Sequence, residues 1–412
     1  MAPDGLENES RSRMIQLAGS PEKIGGLWGS LNRDSVVAHL DRYVDCAASR
    51  GIRKRTLIQR SERFIELARE LAPHWLEEAH AVAVEAAVDE GLYISYIANS
   101  YRDLYAQGEC TSYSLSPQYA RDGGIFFHKN RDNVPREQSG FILGSLVPGV
   151  NRFIAISDAS VIACMAMVNE RGLCGSADTG GPDPEVPRYR GLMNTFILRH
   201  IAETAGTCEE ALQIVRKMVA SGVYAGGSKT GTHWLFVDRN GHRIEIGNNS
   251  RKVSYQYHNE KVYFSARDAS AATARLRRAR KPVDFLRFHG ISRDPSICFD
   301  RSIAGISVEV DRDHPETLTG AWISLPAKAI AFPLLMGGSG TPLPLLNGCV
   351  YSRFSAIDDR GAWQRREREI MESQRGLESR ILGIMDRDGL SMSEAIDDWV
   401  GKTSSMNLSL TG

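Results

Sequence analysis

The run Gly108-Glu109-Cys110-Thr111-Ser112-Tyr113-Ser114, followed by Ile125-Phe126-Phe127-His128-Lys129-Asn130-Arg131-Asp132, decides how the chain is read. It divides a helical-looking first quarter from a strand-rich remainder. Ser112 to Ser116 is small and partly alternating, Arg121-Asp122-Gly123-Gly124 is strong turn chemistry, and Ile125-Phe126-Phe127 resumes an apolar strand. The three pieces read as a hairpin. Its return strand brings Lys129 to Asp132 back beside the start of the first strand, so a carboxylate and two cations approach the Cys110 thiol. A cysteine taken by itself is more often a buried packing residue.

Upstream, Ile15-Gln16-Leu17-Ala18 reads as a short strand. A Gly-Ser-Pro turn then opens a helix, with Ser20 as N-cap and Pro21 at the first helical position. Apolar residues at helical spacing, such as Phe64, Leu67 and Leu71, predict helix over 34–72 up to Pro73. A second amphipathic helix over Trp75 to Glu90 is rich in alanine and predicts close helix packing, and a third covers 91–107. Downstream, strands are expected at 110–117, 124–131, 152–157, 161–169, 232–238, 242–247, 252–256 and 261–265, then over Ile303–Val310 and Thr317–Leu325. A helical block near 190–220 interrupts them, its second helix starting at Thr207 or Cys208. Asn240-Gly241 supplies the best two-residue turn signal of the chain. The basic stretch 273–292 reads mainly as a solvated helix face, and 359–399 as a charged helical appendix. Composition and pattern support α+β.

The chain has 412 residues, 42 % of them hydrophobic, with 50 basic and 50 acidic side chains and a formal net charge of zero. No basic excess points to nucleic acid, and no polybasic run or long apolar stretch points to a membrane. Cys46, Cys110, Cys164, Cys174, Cys208, Cys298 and Cys349 are scattered without Cys-x-x-Cys spacing, which indicates neither a disulfide framework nor a zinc site. The expectation is a soluble cytoplasmic protein with no cofactor.

Cys110-Thr111-Ser112, a glycine-containing hairpin and then Asn130-Arg131-Asp132 resemble the start of the catalytic chain in N-terminal-nucleophile (Ntn) hydrolases. The closest branch is the family of acyl-CoA:6-aminopenicillanic acid (isopenicillin N) acyltransferase and carcinine hydrolase-like cysteine peptidases, with bile-salt hydrolases as cousins. Asn169-Glu170-Arg171-Gly172-Leu173 and Thr232-His233-Trp234-Leu235-Phe236-Val237-Asp238 extend the resemblance, which runs to about residue 335. It implies a four-layer αββα sandwich, with 1–109 as a helical propeptide or α-subunit, 110–335 as the Ntn core and 336–412 as a loop and helical C-terminal extension.

The resemblance also implies chemistry. The precursor cuts itself between Glu109 and Cys110, and the freed residue carries both the sulfur and an α-amine that serves as its base. The reference pKa of such an amine, roughly 7.7–8.0, leaves a useful neutral fraction near pH 7, which is how an N-terminal amine activates a nucleophile. Asp132 is then the group that orients the amine, and Arg275 its charge partner, in Ala274-Arg275-Leu276-Arg277. Asn130 is expected to support the site; Lys129 stands where the bile-salt branch carries arginine. Two positions depart from the family: Ala177-Asp178-Thr179 and Ser265-Ala266-Arg267 replace asparagines of the oxyanion hole, so Thr179 and Arg267 are expected to stand in. His128 and His233 invite a Cys-His protease reading but lack its signature.

The expected activity is hydrolysis of a linear amide, an N-acyl or aminoacyl amine, through a thioester. Two alternatives are an acyl-CoA-dependent N-acyltransferase and a catalytically silent binding protein. Expected partners are a small-molecule amide and the two cleaved fragments for each other, with homo-oligomers left open.

Overall fold

The computed structural model describes residues 12–103, 110–183, 191–226, 230–265, 269–279, 282–341, 343–355, 359–385 and 396. Its strands are β1 (Arg13–Gly19), β2 (Thr111–Leu115), β3 (Ile125–Asp132), β4 (Gln138–Ser145), β5 (Phe153–Asp158), β6 (Ala166–Asn169) and β7 (Cys174–Pro182). There follow β8 (Thr230–Val237), β9 (Arg243–Asn248), β10 (Val253–Tyr257), β11 (Val262–Phe264), β12 (Ser302–Val310), β13 (Gly320–Ser324) and β14 (Phe332–Leu335). Eight of them form one sheet in the order β1-β4-β5-β6-β7-β8-β9-β10, and six form another, β11-β2-β3-β12-β13-β14.

Strand alternation distributes the core. Trp234 and Phe236 of β8 face helices, whereas Leu235 and Val237 join the core shared with the second sheet. The helical side of the large sheet is covered by α1 (Pro21–Leu31), α2 (Arg33–Ala48), α3 (Lys54–Gln59), α4 (Glu62–Leu71), α5 (His74–Ala86), α6 (Glu90–Asp103), α7 (Asn194–Thr204) and α8 (Cys208–Ala220). The far side of the small sheet is covered by α9 (Ser270–Arg277), α10 (Phe285–Gly290) and the C-terminal helix Arg360–Met385. Helix, sheet, sheet, helix: the four layers are those expected. No described helix is long and apolar enough to cross a membrane.

Local chemistry sets the N-terminal segment. The Ser20 side chain accepts from the Lys23 N–H, and Pro21 opens α1. Gly25 and Gly29 let α1 lie directly on α5: a Cβ on Gly25 would sit 2.2 Å from the Glu78 carbonyl oxygen. This segment is no detached pro-region. Its strand β1 pairs in parallel with β4 along seven residues, from Arg13↔Ser139 to Gly19↔Ser145. A buried ionic cluster joins the same parts. From α7, Arg199 Nη2 donates to Glu78 (2.8 Å) on α5 and Nε to Glu203 (2.8 Å), while Trp75 Nε1 donates to Glu203 (3.0 Å).

Three sequence expectations change. β4 and β7 fill stretches where no strand was expected, because small and polar residues there still pair on both sides in the sheet interior. The basic helix ends at Arg277, and Phe285–Gly290 is a separate helix after Pro282. The C-terminal helix is no appendix. Trp363, Ile370, Met371, Leu377 and Ile381 are buried in the main core, and Glu367 accepts from Arg293 (2.9 Å) and the Ala331 N–H (2.8 Å).

Candidate active site

The hairpin β2–β3 pairs Thr111 with Asn130, Ser112 with Lys129 and Leu115 with Phe126. Its turn is set by Asp122 and Gly123, both at positive φ (55° and 69°), where Asp and Gly are tolerated better than bulkier residues. Cys110 directly precedes β2 and is half-buried. Burial raises its thiol pKa, opposed by the Lys129 charge and by a hydrogen bond from the Asp132 backbone, and reinforced by the charges of Asp178 and Asp132. The thiol is held in its neutral form, and without a base it is a poor nucleophile.

Asp132 ends β3 and is fully buried. The Ser302 hydroxyl donates to Oδ1, while the buried Oδ2 has no hydrogen-bond partner among the described residues. Burial pushes this carboxyl up to about 6, against the pull of Ser302, Arg301 and Lys129.

Alternation along β3 sends successive side chains to opposite faces. Lys129 and Arg131 point toward the large sheet. The Lys129 ammonium donates to the Ala177 carbonyl (2.8 Å) and to Asp178 Oδ1. Asp178 Oδ2 accepts from the Ser265 hydroxyl (2.9 Å), and Ser265 Oγ accepts from the Ser112 N–H (2.7 Å). The chain Lys129–Asp178–Ser265–Ser112 thus ties β7 and the end of β11 to the hairpin behind Cys110. Arg131 forms a second tie, donating from Nη1 to Asp158 (2.6 Å), also held by Arg136 Nε (2.7 Å). These two cations hold the Asp158 carboxyl well below the usual range despite its burial.

The expected site residues separate. Cys110 and Asp132 come together. Asn130 lies on the face of β3 opposite Lys129 and Arg131: its amide donates to Ser292 O (2.7 Å) and Ile297 O (2.9 Å) and its oxygen meets His128 (2.8 Å). It braces a loop rather than the thiol. Arg275 does not pair with Asp132. It is 64 % exposed and ion-paired to Asp294 at 3.0 Å, because its turn of α9 faces outward. Thr179 is exposed and adjacent in the strand to Asp178, so the pleat turns it away from the Lys129 side. Glu109 and Arg267 lie outside the described residues.

Lys129, Asp178, Ser265 and Ser302 carry what the sequence reading underweighted. Lys129 had a signal, since it shares a strand face with Arg131. Asp178 and Ser265 sit at the two positions that depart from the family; Ser302 had no signal. His128 meets Ser307 (2.6 Å) and Asn130 in the core, and His233 meets Glu245 (2.6 Å), so neither is aimed at a thiol by these contacts.

Residues 119–266 match the family model of acyl-coenzyme A:6-aminopenicillanic acid acyl-transferase. No curated protein sequence matches the chain. Among solved structures, penicillin V acylase from Agrobacterium tumefaciens is similar at 13 % identity and a TM-score of 0.37, covering 55 % of this chain and 86 % of its own. A variant of conjugated bile acid hydrolase from Clostridium perfringens is similar at 12 % identity and 0.36, covering 55 % and 92 %. The N-acylethanolamine-hydrolyzing acid amidase ortholog of Caenorhabditis elegans follows at 11 % and 0.37, covering 48 % and 92 %. The four-layer architecture is set by the sheet order and the two cores given above. The resemblance read in the hairpin and the match over residues 119–266 point to the same family, the acyl-coenzyme A:6-aminopenicillanic acid acyl-transferases, to which this part of the chain is similar.

Proposed function

We propose that the protein is an autoprocessing cysteine Ntn hydrolase that cleaves a linear amide, an N-acyl or aminoacyl amine, through a thioester on Cys110. The observation that carries this reading is the orphan oxygen of Asp132 beside a neutral thiol. A buried acceptor without a donor is costly. Cleavage before Cys110 would create the missing donor, an α-amino N–H, in the residue next to it.

In processing, the Cys110 sulfur attacks the Glu109 carbonyl, the peptide nitrogen leaves that carbonyl as the new α-amine, and water hydrolyses the thioester. In turnover, the α-amine takes the thiol proton as the sulfur attacks the substrate carbonyl. The same proton goes to the departing amine, and water resolves the acyl-enzyme. Lys129 uses two of its ammonium protons on Ala177 and Asp178. The third is the donor we assign to the developing negative charge, a role in which one preorganised group contributes about 3–4 kcal/mol. Segment 1–109 stays bound after the cut through β1 and the Arg199 cluster.

Acyl transfer is the second reading, favoured by the matched family: an amine instead of water resolves the thioester, which an acyl-CoA would load with release of CoA thiol. The test is the mass of the purified protein. Two species of about 12 and 33 kDa are expected, in proportion to 109 and 303 residues of the 45.5 kDa chain, the larger beginning Cys-Thr-Ser. Cys110→Ala should remain one inactive chain. A fully active, uncut wild type would refute the mechanism.

A further inference from the structure

The large sheet ends in an open strand. β10 (Val253-Ser254-Tyr255-Gln256-Tyr257) pairs with β9 on one side, and no strand among the described residues pairs with its other side. The hydrogen bonds at its two ends fix which backbone groups are free. Lys252 O accepts from the Asn249 N–H (3.0 Å), and the His258 N–H donates to Arg243 O (2.9 Å). Residues bonded to the neighbour alternate along an antiparallel ladder, so Ser254 and Gln256 are the residues of β10 that bond to β9. The N–H and C=O groups of Val253, Tyr255 and Tyr257 therefore point outward. Such a row is a template for another strand, and natural edges are blunted by charge, proline or a bulge. β10 has none of the three: its register against β9 is unbroken, and it contains no charged residue and no proline.

This edge fits a second copy of itself. With a two-fold axis at Tyr255, Tyr255 of one copy meets Tyr255 of the other, and Val253 meets Tyr257. Every outward residue then faces an outward residue, and each pair exchanges both of its N–H···O bonds. A slip of one residue would set outward residues against residues already bonded to β9. The side chains agree with this register. Val253, Tyr255 and Tyr257 share the face toward α8, where Tyr255 and Tyr257 are 47 % and 41 % exposed. There the Arg216 guanidinium lies 4.6 Å from the Tyr255 ring centre, and the Tyr257 hydroxyl donates to Glu209 (2.9 Å). Pairing brings Tyr onto Tyr and Tyr onto Val, the aromatic and β-branched cross-strand pairs that stabilise a ladder. On the opposite face, the exposed Lys252 comes level with the other copy's His258. That imidazole is held between the carboxylates of Glu245 (3.0 Å) and Glu260 (2.6 Å). A cation thus meets an acidic site at each end of the joined strands.

We propose that β10 is a self-association edge: two copies of this chain pair their β10 strands antiparallel about Tyr255, and the eight-stranded sheet of one runs on into that of the other. The two-fold pairing consumes the β10 edge of both copies, so association through it stops at the dimer. The contact uses no residue proposed for the hydrolase, and none of its tests measures turnover. Light scattering of the full chain, across a concentration series, should show a mass rising to about twice the 45.5 kDa of one chain and no further.

Charge variants test the contact itself. Lys252→Glu and Glu260→Lys, each alone, set like charges together at both ends of the joined strands and should raise the dissociation constant at least tenfold. An equimolar mixture of the two variants faces opposite charges again and should associate as the wild type does. The register is read by cross-linking. Facing residues of a hydrogen-bonded pair have Cα atoms about 5.5 Å apart, within disulfide reach, so Tyr255→Cys should join two copies on oxidation. Gln256→Cys, which faces Ser254, should cross-link no more than the wild type. Circular dichroism of every variant should match the parent, all four side chains being exposed. A wild type that stays monomeric, a dimer that neither charge variant weakens, a mixture that does not associate, or cross-linking at 256 and not at 255 would overturn the proposal.

Discussion

Replacing Asp132 with asparagine should make the uncut protein more stable while leaving the processed protein inert. Burial holds the Asp132 carboxyl at about 6, above an ordinary value of 3.8. Ionising a group so held costs about 3 kcal/mol, at about 1.4 kcal/mol per pH unit. Because the folded carboxyl is harder to ionise than the unfolded one, the penalty is absent below about pH 4. It grows between pH 4 and 6 and is complete above about pH 6. Asparagine never ionises and keeps an acceptor for Ser302, but it sets an amide where Oδ2 has no partner. That mismatch costs about 1–2 kcal/mol at every pH. The balance at pH 8 is a gain of about 1–2 kcal/mol; at pH 4 it is a loss of similar size. The assay is urea denaturation at both pH values, with Cys110→Ala in parent and variant so that neither chain is cut. A variant destabilised equally at pH 4 and pH 8 would show that no buried charge sits there, and the argument from the orphan oxygen would fall with it.

Lys129→Met should abolish turnover and destabilise the fold by about 3–5 kcal/mol, because Asp178 is left buried and unpaired; Lys129→Arg should recover part of both, read by initial rates and urea midpoints. Arg275→Ala should keep turnover within about threefold of wild type, since its charge is paired with Asp294 and not with Asp132; a loss beyond a hundredfold would return Arg275 to the mechanism. Arg199→Met should cost about 3–5 kcal/mol by bringing Glu78 and Glu203 together without their cation. In the processed protein that variant should also release the 1–109 fragment at lower denaturant than the parent, seen by size-exclusion chromatography.

The hairpin was legible because its signals are local: small residues, an Asp-Gly turn and a resumed apolar run. Its neighbours β4 and β7 were not, since Gln138-Ser139-Gly140 and Ser176-Ala177-Asp178 become strand only through partners distant in sequence. Tertiary pairing outweighs strand propensity there. Cys110 and Asp132 could be matched by spacing. Lys129 could be placed on the right face by alternation, yet its role depends on Asp178, 49 positions away, and on Ser265 beyond that. Arg275 was misplaced for a related reason. A family position fixes a residue in the chain but not the rotation of its helix, and α9 turns Leu276 inward and Arg275 out. The charge of the C-terminal helix concealed a five-residue apolar stripe, which became visible only as the cover of the small sheet.

The parallel pairing of β1 with β4 has a consequence for the order of events in the cell and in the tube. If the chain is cut after residue 109, a strand that folded as part of one molecule becomes a strand held by another. Refolding then changes from a first-order to a second-order process. An unfolded precursor should regain structure at a rate independent of concentration. The denatured two-chain product must first find its other half, and meanwhile 110–412 presents the bare edge of β4 beneath an uncovered apolar sheet face, a template for aggregation. On the proposed mechanism, cleavage would thus be a one-way step in folding as well as in chemistry. A protein so cut would persist through slow unfolding, not through ready refolding.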